Sequence, residues 1–134
     1  MNPAIRIAFP GVLAASLALG AGPALADQTV KSSDGAWKVT GDVPATIAVK
    51  KKTEVIVDIA PVAGGSQCPK LASVAFEMPS HGHGGDVDPK AMSMGACSYH
   101  ISDLVPSMDG QWRLRLVLKE GEKTSTADFA VQAK

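Results

Sequence analysis

Residues 112–118 read Trp-Arg-Leu-Arg-Leu-Val-Leu, with a large apolar side chain at every second position. A repeat of two belongs to extended chain, whose successive side chains leave opposite faces; a helix would need a repeat near 3.6. The pattern predicts that Trp112, Leu114, Leu116 and Leu118 line a buried face while Arg113 and Arg115 turn to water. Val55, Val57 and Ile59 alternate in the same way. No stretch of the chain sustains a helical repeat.

Between such runs, turn-forming residues recur roughly every 8 to 15 positions. They are Gly41-Asp42-Val43-Pro44, the spans 61–69 and 79–89, Asp109-Gly110 and Glu120-Gly121-Glu122. Strands are expected over 37–40, 46–50, 54–59, 72–78, 98–102, 111–118 and 124–131. Seven short strands with one buried face each predict an all-β, immunoglobulin-like antiparallel sandwich. An open barrel is the alternative. The chain of 134 residues is long enough for one such domain, placed over 27–134.

The first 26 residues carry a different pattern. Arg6 precedes an apolar run over 7–19, and Gly20-Ala21-Gly22-Pro23 leads into Ala24-Leu25-Ala26, whose small side chains suit a signal peptidase. A membrane anchor needs about 20 continuous apolar residues, and Pro10 and Gly11 interrupt this run. A cleavable signal peptide over 1–26 is therefore expected, leaving no membrane span and a periplasmic or secreted protein. Once Arg6 is removed, the 13 basic side chains become 12 against 13 acidic ones. That balance offers no positive surface to hold a polyanion, so nucleic acid is not an expected partner.

Export also sets the meaning of the only two cysteines, Cys68 and Cys97. Outside the cytosol such a pair is expected to close a disulfide, stabilising the fold by about 3 kcal/mol for a loop of roughly 30 residues. A thiolate pair for metal or disulfide exchange is the rival, but the spacing is not that of a redox Cys-x-x-Cys.

Chemistry gathers between the two cysteines and just beyond. All three histidines, His81, His83 and His100, lie within 78–108, as do Met78, Met92, Met94 and Met108. Imidazole and thioether are the donors that suit copper, with sulfur favouring the cuprous ion. His81-Gly82-His83 and Met92-Ser93-Met94 are both i, i+2 pairs, which in extended chain share a side about 6 to 7 Å apart. Glycines at 82, 84 and 85 let the backbone close tightly around an ion. His81, His83, Met92 and Met94 are the primary predicted ligands. Met78 continues the alternation of Val74 and Phe76, which favours the core; Met108 sits in a turn; His100 alternates with Ser98 and Ser102 on a face that also suits solvent. These three form a second tier.

Other chemistries fit less well. Asp86 and Asp88 are too few for a calcium loop of the twelve-residue kind. No strand-turn-helix elbow supports a nucleophilic serine, so no catalytic residue is assigned and the protein is not expected to be an enzyme.

The run Met78-Pro79-Ser80-His81-Gly82-His83-Gly84, then Tyr99, then Met108-Asp109-Gly110-Gln111-Trp112-Arg113-Leu114 and Ala127-Asp128-Phe129-Ala130-Val131, resembles the YtkA-like and FixH-like family of exported bacterial domains. The likeness extends from about residue 50 to the end. It implies an immunoglobulin-like sandwich in the bacterial envelope, with copper handling or cytochrome oxidase assembly in some members. The predicted cleavable leader sets this chain apart from the membrane-anchored members. Two functions are thus expected, in order: a monomeric copper-binding module serving transfer or buffering, its partner another envelope copper protein; or a metal-free domain that binds an envelope protein through its glycine-rich loop.

Overall fold

The structure, a computed structural model, describes residues 27–134; the signal peptide expected over 1–26 lies outside the described residues. Ten strands follow in order: β1 (Gln28–Lys31), β2 (Trp37–Gly41), β3 (Thr46–Ile47), β4 (Thr53–Pro61), β5 (Lys70–Met78), β6 (His83–Gly84), β7 (Lys90–Gly95), β8 (Ser98–Leu104), β9 (Gly110–Glu120) and β10 (Lys123–Ala133). They form two five-stranded sheets, β1-β2-β4-β8-β7 and β3-β10-β9-β5-β6. The order β2-β4-β8-β7 opposite β10-β9-β5 is the A-B-E-D and G-F-C arrangement of an immunoglobulin-like sandwich. The all-β expectation is met. Every pairing is antiparallel except one, β3 beside β10.

The alternation that opened the sequence reading builds the centre of the second sheet. Trp112, Leu114, Leu116 and Leu118 on β9 are all buried, and Phe129 and Val131 on β10 join them. They meet Val39, Val55, Val57, Ile101 and Leu104 from the first sheet in one core. Phe76 of β5 stacks on Trp112 with ring centres 4.9 Å apart. Such aromatic pairs add about 0.5 to 1.5 kcal/mol beyond the area they bury.

Arg113 and Arg115 do leave the opposite face, but only half-exposed. Arg113 pairs with Glu77 of β5, its register partner. Arg115 donates from Nε and Nη2 to both oxygens of Asp128, at 2.8 and 2.9 Å. Hydrogen bonding to Arg115 holds the Asp128 carboxyl below the usual aspartate range, and the same bond raises the Arg115 guanidinium.

Three strands were not expected. β1 is four residues long, with only Val30 as an apolar side chain on its half-buried face; β6 has two residues, and β7 has every residue exposed, so none carries a readable apolar repeat. β3 also ends at Ile47 instead of running to 50. There Lys50 takes a φ of +65° and donates its backbone N–H to the Pro106 carbonyl at 2.7 Å, which turns the chain away.

The Cys68–Cys97 disulfide is formed, with Cα atoms 5.4 Å apart. It ties the connection between β4 and β5 to the hairpin turn between β7 and β8. Gly95 pairs with Ser98, so that turn has Ala96 and Cys97 as its two central residues, with φ of +51° and +66°. A two-residue hairpin of this kind ordinarily calls for Asn-Gly, because other side chains resist positive φ. Here the cross-link and a hydrogen bond from Ile59 N–H to the Cys97 carbonyl, 3.0 Å, hold the turn in place.

Candidate functional site

The histidine element is the hairpin from β5 to β6. Met78 ends β5 inside the core, 2% exposed. The chain then reverses over 79–82, with the N–H groups of His81 and Gly82 both donating to the Met78 carbonyl at 3.2 and 2.9 Å. Gly82 has a φ of +65°, which a β-carbon would oppose. His83 pairs back onto Met78.

The two imidazoles are exposed and face each other edge-on, their centres 5.6 Å apart at 65°. The His83 ring also stands 6.3 Å from that of Trp112, at 78°. His83 Nδ1 lies 2.9 Å from the Gly84 carbonyl. A carbonyl can only accept, so Nδ1 carries the proton and Nε2 keeps its lone pair. Behind this hairpin the backbone has no slack. A β-carbon on Gly85 would stand 2.4 Å from the Val105 carbonyl oxygen and 3.9 Å from the Trp112 ring. Gly85, read from sequence as a source of pliability, is a point of close packing.

The methionines lie elsewhere. Met92 and Met94 belong to β7, an outer strand of the first sheet, whereas His83 belongs to β6, an outer strand of the second. They stand in a strand, not in the loop that the glycines led one to expect. Met92 is 67% exposed and Met94 55%. Met92 is the direct register partner of His100 on β8, and Met94 occupies a bulge between Ser93 and Gly95. His100 Nε2 lies 3.3 Å from Glu54 Oε2 on β4. Met108 stands in the turn before β9, where its carbonyl accepts the Trp112 indole N–H at 3.0 Å.

The predicted set therefore divides. His81 and His83 share one hairpin; Met92 and Met94 share a sheet with His100, and a second-tier residue becomes the nearest donor across from Met92. Counting back from a two-residue turn at 96–97 would have found that pairing, but only with the bulge at Met94 included. Glu54 was not singled out at all, and its strand pattern gave no sign that it reaches a histidine two strand positions from its own row.

Among the described residues, no three His, Cys, Asp or Glu side chains gather to hold an ion. The imidazoles of His81 and His83 do approach each other, and Met92 and His100 are paired in register on neighbouring strands. The other resolved perturbation of an acid is remote from them: Asp34 is held below its usual value by the Ser32 hydroxyl, 2.6 Å, in the turn between β1 and β2. No helix among the described residues is long and apolar enough to cross a membrane.

No protein-family model matches this chain, and no curated protein sequence is similar to it. Among solved structures, it is similar to the Lin-41 filamin domain, at 14% identity and a TM-score of 0.46, over 73% of this chain and 91% of that one.

Proposed function

We propose that this chain is a periplasmic copper-binding module, without catalytic activity, that transfers or buffers copper in the cell envelope in the company of another copper protein. On this reading it is a YtkA-like or FixH-like domain, and His81 and His83 supply the nitrogen ligands. The spacing of the two rings carries the proposal. An ion bound at about 2 Å to a nitrogen of each imidazole puts the ring centres at most about 6 Å apart, and the separation here is 5.6 Å. The bond from His83 to the neighbouring Gly84 carbonyl supports it, because it fixes the tautomer and leaves Nε2 free to bind. Neither ligand needs to be dragged from a packed interior.

Titrating the protein with cuprous and cupric ions tests this, beside a His81→Ala/His83→Ala variant. The parent is expected to bind more tightly than micromolar and the variant to lose the ion held by the two imidazoles. Equal, weak binding by both would end the copper reading. A second reading, a metal-free interaction module, draws on the exposure of every residue of β7 and of Met92 and Met94 above all. It predicts that the histidine variant keeps its full effect in the envelope.

A further inference from the structure

We propose that Met92, Met94 and His100 form a second soft-metal site, on the outer face of the first sheet, with Glu54 as the positioning residue and the cuprous ion as ligand. The site goes beyond the His81/His83 reading and does not depend on it. Met92 and His100 are directly opposed on antiparallel strands, so they leave the same face from β-carbons about 4.5 to 5.5 Å apart. Tyr99 and Ile101, the neighbours of His100 on β8, pack inward, which fixes the opposite, outward sense for His100. A sulfur and a nitrogen rooted this close can share an ion at bonds of about 2.0 to 2.3 Å without any strand moving. Met94 follows on the bulge, where an extra residue bends the strand and re-aims its side chains.

The ring of His100 is prepared for this. Its Nε2 faces the Glu54 carboxylate at 3.3 Å, and an ionised carboxylate accepts only, so Nε2 carries the proton and Nδ1 the lone pair. A carboxylate behind an imidazole raises its basicity as a ligand and fixes its tautomer. On β4 the register partner of His100 is Ile56, 39% exposed, which sets an apolar side chain beside the ring. Two thioethers and one imidazole, with no thiolate, favour the cuprous ion over zinc or the alkaline earths. With both cysteines in the disulfide, no stronger sulfur competes for the ion.

Anaerobic titration of the protein with a cuprous bicinchoninate complex decides the matter. The parent is expected to take up about two cuprous ions, the Met92→Leu/Met94→Leu/His100→Gln variant one, and His81→Ala/His83→Ala also one. Leucine keeps the apolar bulk of methionine, so a patch that merely docks a protein would leave uptake unchanged. Glu54→Ala is expected to weaken the second uptake roughly 10-fold or more, the cost typical of losing an outer-shell carboxylate. On the parent, the Met92 and Met94 methyl resonances move on loading and that of Met78 does not. Uptake unaffected by the leucine and glutamine changes overturns this site and leaves the His81/His83 pair standing. Uptake abolished by them, and indifferent to the histidine-to-alanine changes, does the reverse.

Discussion

Two hairpins carry the candidate donor groups, and they are held in different ways. The turn between β5 and β6 is anchored from within: Met78 is buried, Gly85 is wedged against the Val105 backbone, and the His83 ring stands edge-on to Trp112. In the hairpin of β7 and β8 only β8 reaches the core, through Ile101 and Leu104; β7 has no buried residue, and a covalent link ties down the turn. Packing restrains the first through many small contacts that vanish together when the core loosens. A cross-link gives the turn of the second a restraint that does not vanish with the core. The geometry of two surface sites can thus be kept by two unrelated means in one small domain.

That contrast can be broken from either side. Trp112→Ala removes a fully buried ring and is expected to cost about 3 to 5 kcal/mol, read as the fall in urea midpoint. Hydrogen exchange should show His83 and Gly84 exposed first, with Ser98 to Ser102 slower. Removing the cross-link with Cys68→Ser/Cys97→Ser is expected to cost about 3 kcal/mol, with the reverse pattern: β7 amides lose protection while those of β6 keep it. If both variants loosened both hairpins alike, the contrast would be wrong. Gly85→Ala sharpens it, since a β-carbon there meets a carbonyl oxygen and overpacking of this kind costs about 1 to 3 kcal/mol. It should disturb copper uptake at His81 and His83 and spare uptake at His100. The smallest effect comes from acid. Asp128 titrates below the usual aspartate range because Arg115 holds its charged form. The folded state thus gains stability from this group above the ordinary aspartate value of about 4. That gain is lost as pH falls further, through the lowered value. The pair is more than a third exposed, so the loss is modest. Asp128→Asn should flatten the stability curve below about pH 4 relative to the parent.

The strands that bury one face were legible because burial writes a repeat of two into the residues themselves: Val55 to Ile59 and Trp112 to Leu118 could be read directly. β7 could not, since Lys90 to Gly95 has both faces in solvent and so no repeat to show. The cysteine pairing followed from there being only two, in a chain whose first residues predict export. The donors were legible as residue types, and their grouping was not. Which methionine meets which histidine depends on the register of β7 against β8, and one bulged residue shifts it. Gly85 misled for a related reason: freedom of backbone and lack of room both select glycine, and only the position of the Val105 carbonyl tells them apart.

The parallel pairing of β3 with β10 orders events in time. Thr46 and Ile47 find their partners in Gln132 and Ala133, and the Val49 N–H donates to the Lys134 carbonyl at 3.0 Å. A chain made from its N-terminus holds Ile47 without its neighbour until residues 132–134 have been added. Long-range closure of this kind is the slow part of β folding. Completion of the second sheet therefore waits for the end of β10, and loss of residues 132–134 is expected to delay or prevent it.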